Sequence, residues 1–252
     1  MTVRKLLAVV VLLVAGCGTP GASSRGGASG DITVFAAASL TESFTKLGKD
    51  FEAAHPGAKV TFNFAGSSAL AQQLNQGAPA DVFASAAPAN MKQVTDTGTV
   101  KAAPTTFAKN TLQIVVPKGN PGGVTGLADF ARADLKIALC AEQVPCGAAA
   151  KKVFEAAGVT ARPDTLEQDV KAALAKVALG EVDAALVYRT DVKAAGDKVE
   201  GKDFPEAAEV VNAYVIAPVA TASNSVGAQA FLDHVVSAEG RAVLAEAGFA
   251  AP

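Results

Sequence analysis

Short apolar runs alternate with longer amphipathic stretches along most of the chain, a pattern typical of strands that alternate with helices. The first series has β-rich runs at 32–36, 60–64 and 81–84, and predicted helices at 40–54, 67–76 and 89–97. Pro56-Gly57 and Gly77 are stop signals after the first two helices. Short connections in this order predict a mostly parallel sheet with helices on both faces.

A second α/β series follows the first. Its predicted elements are β-rich runs at 112–116, 136–139, 184–188 and 213–217, and helices at 147–157, 170–179 and 227–247. Two such series in a chain of 252 residues predict an α/β fold of two lobes with a cleft between them. We expect the runs at 112–116 and 213–217 to cross between the lobes. One predicted lobe is then 31–111 with 218–252, and the other is 112–217.

The first seventeen residues have the pattern of a targeting segment. Arg4 and Lys5 precede an apolar run at 6–15, which is shorter than the roughly 20 residues that span a bilayer and suits a secretory signal. Val-Ala-Gly-Cys at 14–17 resembles the bacterial lipobox, which implies a signal peptide of residues 1–16 and a diacylated Cys17. An ordinary signal peptide with an incidental cysteine is the alternative.

Residues 17–30 are mostly small and lack apolar periodicity, which predicts a flexible tether. With a lipid on Cys17, the tether would anchor an extracytoplasmic protein to the cell membrane. Removal of Arg4 and Lys5 with the signal peptide would change the net charge from −2 to −4.

The composition narrows the classes of ligand and reaction. Lys and Arg number 22 against 24 Asp and Glu, so no broad positive field attracts nucleic acid. The two histidines and three cysteines form no cluster with zinc-ligand spacing, so we expect no metal held directly by side chains. The sequence has no G-x-S-x-G and no phosphate loop ending in Lys-Ser or Lys-Thr, which argues against hydrolysis of esters or nucleotides.

Cys140 and Cys146 lie six positions apart in a chain expected outside the cytoplasm, where disulfides are permitted. A bridge over so short a loop would stabilise the fold by about 2.4 kcal/mol in the chain-entropy model. We therefore predict a Cys140–Cys146 disulfide. Two free buried thiols are the alternative.

Three connections between strands and helices contain small or hydroxyl residues and no cation: 37–40, 65–68 and 144–147. A helix N-terminus presents unpaired N–H groups and a partial positive charge, so such connections can bind an anion without Lys or Arg. In open α/β sheets, ligands bind at the carboxyl ends of strands, where these connections lie.

Purely structural roles compete with this interpretation. Ser39 and Glu42 have the spacing of a capping box, and Ser67 can act as a simple helix cap. Asp169 has the position of a plain N-cap before Val170. Tyr188 ends an apolar strand, where a tyrosine is commonly part of the core. Taken singly, these residues do not identify a function.

Taken together, they resemble a known family. The blocks ITVFAAASLT at 32–41, FAGSSAL at 64–70 and GAPADVFASA at 77–86 closely resemble the substrate-binding proteins of molybdate ABC transporters, the ModA family. The later blocks VPCG at 144–147, Asp-Val at 169–170 and Leu-Val-Tyr at 186–188 match in the same order. The resemblance implies a two-lobed type II periplasmic-binding fold that closes on molybdate or tungstate.

The resemblance also implies a set of ligand-binding residues. Ser39 and Ser67 would donate hydroxyl and backbone N–H hydrogen bonds from the first lobe. The second lobe would supply the N–H of Cys146, the N–H of Val170 and the hydroxyl of Tyr188. Molybdate is deprotonated near neutral pH and needs only donors, whereas hydrogen phosphate carries a proton that requires an acceptor.

The implied protein is a monomeric binding protein, not an enzyme, without a cofactor. It would deliver the oxyanion to an ABC permease, and molybdenum would be present only within the bound oxyanion. A binding protein for another oxyanion such as sulfate, also a donor-only ligand, and an adhesion protein without a ligand are the alternatives. Two positions depart from the family: Cys146 and Gly66 stand where Ala and Ser are more usual, and we expect only a modest effect from Gly66.

Overall fold

The computed structural model describes residues 28–252, in which strands and helices alternate. The strands are β1 (Gly30–Ala37), β2 (Ala58–Ala65), β3 (Val82–Ser85), β4 (Thr105–Pro117), β5 (Ile137–Cys140), β6 (Thr165–Glu167), β7 (Ala184–Tyr188), β8 (Val199–Lys202) and β9 (Val211–Pro218). The helices are α1 (Thr41–Ala54), α2 (Ser67–Asn75), α3 (Pro88–Asp96), α4 (Pro145–Ala157), α5 (Val170–Ala178), α6 (Arg189–Ala195), α7 (Ser225–Val236) and α8 (Ala238–Ala247).

The first lobe is built around β1, which pairs in parallel with β2 on one side and with β3 on the other. Helix α1 covers this sheet with Phe44, Leu47 and Phe51, which lie three and four positions apart on one helical face and are fully buried. Tyr214 of β9 and Phe231 of α7 complete the same core. The periodicity of α1 therefore determines which of its faces packs on the sheet.

The second lobe has β5 at its centre, paired in parallel with β6 and β7. Helices α4 and α5 pack on it through residues such as Val153 and Val177. Apart from Ala38, this core is formed by residues between 112 and 207. The two lobes thus have separate hydrophobic cores, and the α/β fold is two-lobed, as the sequence predicts.

Strand β4 passes from one lobe into the other. Its first part pairs antiparallel with β9, up to Thr111 opposite Val211, and its second part pairs antiparallel with β7 and β8 from Leu112 onward. Strand β9 also pairs antiparallel with β3 over Val82–Pro218 to Ser85–Val215. Pairing is therefore parallel within each α/β unit and antiparallel at the crossing strands.

The pairing of β9 corrects one predicted boundary. Residues 213–217 were expected to end the second lobe, but Tyr214, Val215 and Ile216 pack in the cores of the first lobe. The return crossing therefore lies before Val211. An apolar run does not by itself reveal which of two sheets it joins, because both cores demand the same residue types.

Other differences from the prediction are local. The helical stretch at 227–247 is two helices, because Ser237 interrupts it and its hydroxyl caps α8 by accepting a hydrogen bond from the N–H of Gly240. Strands β6 and β8 and helix α6 are short and were not predicted. At the start of the described residues, Ala28 is buried and Gly30 already belongs to β1, so the last residues of the predicted tether are part of the fold.

The predicted signal peptide, Cys17 and most of the tether lie outside the described residues. Between 28 and 252, no helix combines the length and the apolar character needed to cross a bilayer.

Candidate ligand-binding site

A small cavity lies between the two lobes and is lined by the five residues that the sequence singled out. It contains about 200 Å³ of atom-free space, part of it open to solvent. Each lobe contributes six lining residues: Ala37, Ala38, Ser39, Gly66, Ser67 and Ala86 from the first, and Val144, Pro145, Cys146, Asp169, Val170 and Tyr188 from the second. This lining contains no Lys or Arg, so its chemistry is that of neutral donors and helix N-termini.

Ser39 lies in a 3-10 turn, Ala38–Leu40, directly before α1. The N-cap of α1 is Leu40, and no side chain caps this helix, so the predicted capping box of Ser39 and Glu42 is wrong. The turn shifts the helix start to Thr41 and leaves the Ser39 hydroxyl free to bond Tyr214, with Oγ and Oη 2.8 Å apart. The Ser39 hydroxyl can therefore donate to a ligand at the cavity wall when Tyr214 donates to it.

Ser67 is the first residue of α2, and Gly66 occupies the N-cap position. Its hydroxyl oxygen accepts a hydrogen bond of 3.0 Å from the N–H of Ala86, so the hydroxyl proton remains to be donated. As one of the first four residues of the helix, Ser67 also has a backbone N–H without an intrahelical acceptor. The simple cap expected as the alternative is not formed, because the residue lies inside the helix.

Two N–H groups of the second lobe have the same helix-terminal character. Cys146 is the second residue of α4, and Val170 is the first of α5, so both N–H groups lack intrahelical acceptors. Asp169 is the N-cap of α5, and its Oδ1 accepts from the N–H of Ala172 at 3.0 Å, as expected for a plain cap. The only carboxylate in the cavity lining is therefore engaged with its own helix.

Tyr188 ends β7 and is buried. Its hydroxyl oxygen lies 3.0 Å from Nδ2 of Asn212, which donates to it. Burial raises the pKa of the Tyr188 hydroxyl well above its ordinary value, and the neighbouring Tyr214 and Asp191 raise it further. The hydroxyl is therefore protonated at neutral pH and can act as a donor.

The sulfur atoms of Cys140 and Cys146 are bonded, with their Cα atoms 5.7 Å apart. This bridge ties the end of β5 to the first turn of α4, which carries the Cys146 N–H. The next residue, Gly147, has no room for a side chain, since a β-carbon there would lie 2.0 Å from the carbonyl oxygen of Ala141. The loop that precedes α4 is consequently tightly packed on both sides of Cys146.

An ion-pair cluster lies beside the cavity and joins the lobes. Nζ of Lys171, the residue after Val170, is 2.8 Å from Oε1 of Glu42 on α1 and 3.2 Å from Oδ1 of Asp191 on α6. Burial lowers the pKa of Lys171, but the two carboxylates outweigh it and the net shift is upward. For Asp191, which is completely buried, the loss of hydration outweighs Lys171 and raises the pKa to about 6.

Gly66 allows the lobes to approach each other closely. A β-carbon at this position would lie 2.3 Å from the carbonyl oxygen of Gln168 in the second lobe. Any side chain at this position, including the serine that the family resemblance suggests, would therefore press against the second lobe. Asn90 also contacts the second lobe, with Nδ2 3.4 Å from the carbonyl oxygen of Gln143.

The sequence did not single out three residues at the site: Ala86, which lines the cavity, and Asn212 and Tyr214, which contact its lining. Asn212 offered a weak signal, because it is a polar residue within an apolar β run. Tyr214 is one of only two tyrosines in the chain. Their importance depends on contacts between distant segments, which local patterns do not show.

Two lobes, each with its own core, and a cavity lined equally by both are the arrangement of a solute-binding protein. The family model for "Bacterial extracellular solute-binding protein" matches residues 32–250. The chain is 44% identical over 246 residues to "Molybdate-binding protein ModA" of Mycobacterium tuberculosis strain H37Rv, which covers 97% of this chain and 94% of that relative. The protein thus belongs to the ModA family.

Solved structures agree with this fold. The periplasmic molybdate-binding protein of Azotobacter vinelandii superposes with a TM-score of 0.76 at 21% identity, over 88% of this chain and 99% of that one. The sulfate-binding protein SubI of Mycobacterium tuberculosis superposes with a TM-score of 0.75 at 17% identity, over 87% and 86%. Since both chains fit almost equally well, the fold alone does not distinguish the two oxyanions.

Proposed function

We propose that this protein captures molybdate, and also tungstate, in the interlobe cavity and delivers it to an ABC permease. The observation that carries the proposal is the convergence of Ser39, Ser67, Cys146, Val170 and Tyr188 on one cavity, at positions where each can donate a hydrogen bond. Membership of the ModA family supports molybdate as the ligand in preference to sulfate. No cofactor is required for this function.

The donor set suits a fully deprotonated tetrahedral dianion. Oxygen atoms of such a ligand only accept hydrogen bonds, and the proposed residues offer hydroxyl and N–H donors from both lobes. Hydrogen phosphate would bring a proton into a cavity whose only carboxylate, Asp169, already caps α5. A buried proton without an acceptor is costly, so phosphate should be rejected.

Closure of the lobes follows from the division of the donors. Neither lobe alone offers the whole set, so the ligand favours the closed arrangement in which all donors reach it. We place the lobes at 28–111 with 211–252 and at 112–210, with β4 and the segment before β9 as the crossing connections. The interlobe contacts of Gly66 and of the Glu42–Lys171 pair support closure of these two bodies.

The same proposal covers location and assembly. Members of the solute-binding family act outside the cytoplasm, and a signal peptide of residues 1–16 with a diacylated Cys17 would hold this chain at the cell membrane. We propose that it works as a monomer. Mass spectrometry of the membrane-extracted protein would test for the lipid, and replacement of Cys17 by Ala should abolish it.

The direct test is thermal unfolding of the chain from residue 18 onward with molybdate, tungstate, sulfate or phosphate. At a ligand concentration of one hundred times Kd, binding stabilises the fold by about 2.7 kcal/mol, or roughly 5 to 11 °C for this size. We expect a shift with molybdate and tungstate only. A shift with sulfate alone would move the protein to the sulfate-binding class, and no shift with any oxyanion would refute the donor-lined site.

A further inference from the structure

Asn212 occupies a position where it controls one of the proposed ligand donors without itself lining the cavity. It lies in β9 directly opposite Asn110 of β4, where the chain passes between the lobes, and it is buried. Its Nδ2 atom is 3.1 Å from the carbonyl oxygen of Ala86 in the first lobe and 3.0 Å from Oη of Tyr188 in the second. One amide group therefore contacts both lobes.

These two contacts determine the direction of the hydrogen bond to Tyr188. A carbonyl oxygen only accepts, so the amide nitrogen, not the amide oxygen, must face Ala86. The same nitrogen contacts Tyr188, and an amide NH₂ group only donates. The Tyr188 oxygen must therefore accept, and its own proton is left for another acceptor.

The cavity and the Tyr214 hydroxyl are the two directions open to that proton. The ring centroid of Tyr214 is 5.9 Å from that of Tyr188, and the Tyr214 hydroxyl contacts both Ser39 and Tyr188. Among the described residues, Asn212 donates to the Tyr188 oxygen, and the Tyr214 hydroxyl is a second partner of the Tyr188 hydroxyl. A ligand in the cavity that Tyr188 lines would therefore compete with Tyr214 for the O–H group.

Ala86 extends this arrangement to the donor on the opposite side. Its N–H donates to the Ser67 hydroxyl at 3.0 Å, while its carbonyl oxygen accepts from Asn212. A continuous chain of hydrogen bonds thus runs from Ser67 through Ala86 and Asn212 to Tyr188. At both ends the hydroxyl oxygen is occupied as an acceptor, so each hydroxyl group can act toward a ligand as a donor.

We propose that Asn212 is a positioning residue that determines specificity: it keeps the Tyr188 hydroxyl a donor and thereby selects fully deprotonated oxyanions over protonated ones. The inference rests on the proposed function of the cavity. It predicts that the residue at 212 controls the ratio of molybdate affinity to hydrogen phosphate affinity, and not merely the overall strength of binding.

Asn212→Asp provides the test, since a carboxyl group there accepts the Tyr188 proton and turns the tyrosine oxygen into an acceptor for the ligand. Binding is measured by calorimetry at pH 8 with molybdate, sulfate and phosphate, which are all chiefly dianions at this pH, so that added negative charge affects each similarly. We expect molybdate to bind at least tenfold more weakly, with the ratio of molybdate to phosphate affinity reduced at least tenfold. Asn110→Asp is the matched control, because Asn110 is the buried cross-strand partner and donates to Thr190 instead.

Asn212→Leu and Tyr188→Phe keep the test valid if Asn212→Asp does not fold. We expect Asn212→Leu to weaken molybdate binding three- to tenfold in the wild-type background and to have no effect beside Tyr188→Phe, since no hydroxyl is then left to orient. Equal losses of affinity for all three ligands in Asn212→Asp would overturn the inference but not the proposed function. Additive effects of Asn212→Leu and Tyr188→Phe on molybdate affinity would do the same. A wild-type protein that does not bind molybdate would overturn the proposed function and the inference with it.

Discussion

Gly66→Ala tests directly whether the lobes must meet for the ligand to bind. A β-carbon at this position would lie 2.3 Å from the carbonyl oxygen of Gln168 and 3.4 Å from its carbonyl carbon. Ordinary contacts between such atoms begin near 3.4 Å, so the lobes would stay about 1 Å further apart at this point. The backbone angles of Gly66, φ −59° and ψ 134°, suit alanine, so the first lobe itself should fold normally.

The expected loss of affinity follows from the donors that this gap displaces. A second-lobe donor placed about 2.9 Å from a ligand oxygen would move to about 3.9 Å, beyond hydrogen-bond range. A hydrogen bond to a charged group contributes about 1.5–3 kcal/mol. Loss of one or two such bonds costs about 3 kcal/mol, which corresponds to a roughly 100-fold higher Kd for molybdate.

Calorimetric titration with molybdate measures this effect, and Gly126→Ala is the control. Gly126 has an extended backbone with φ −173°, and a β-carbon there would meet no atom within 4 Å. Both variants should unfold at nearly the wild-type temperature without ligand. A Kd for Gly66→Ala within threefold of the control would refute the argument that close approach at Gly66 is required.

Three further predictions concern charge, pH and the disulfide. Glu42→Gln removes the partly exposed interlobe pair with Lys171, so the Kd for molybdate should rise about two- to fivefold. Titrations at high salt should show a smaller difference from wild type. An unchanged Kd at low salt would contradict this prediction. The pKa of Asp191 is raised to about 6 from 3.8, so its stabilising contribution is complete below about pH 4 and is lost as the pH rises through 6, a change of about 3 kcal/mol. In urea unfolding, the change in stability between pH 4 and 7.5 should therefore differ between wild type and Asp191→Asn by about this amount, and equal changes would contradict it. Replacement of Cys140 and Cys146 by Ser should lower the free energy of unfolding by about 2.4 kcal/mol. In the unmodified protein, alkylation before and after reduction should reveal two protected thiols. Alkylation of both cysteines without reduction would favour the free-thiol alternative.

The sequence predicted most of the regular structure because period and stop signals are local properties. The face of α1 that packs on the sheet follows from the spacing of Phe44, Leu47 and Phe51. The sequence did not reveal to which lobe residues 213–217 belong. Their position depends on the pairing of β9 with β3, which joins segments more than a hundred residues apart. The short strands β6 and β8 carry too few residues for a recognisable period.

The five residues expected to bind the ligand line one cavity, but the contacts that support them did not follow from the sequence. Helix N-termini and the family resemblance were sufficient to select Ser39 and Ser67. The role of Asn212 and the need for glycine at Gly66 arise from atoms that meet only when both lobes are folded and closed. Such contacts have no counterpart in local composition, which is why a capping box at Ser39 was a reasonable but wrong alternative.

Because the cavity lining contains no Lys or Arg, binding of a ligand changes the distribution of charge at the surface of the protein. A bound dianion would be balanced chiefly by the partial positive charges at the N-termini of α2, α4 and α5, about half a charge each. The matching negative partial charges remain at the opposite ends of these helices. Loading would therefore neutralise the positive ends of these helices and leave their negative ends, away from the cavity, unbalanced, where a docking partner can sense a full cavity.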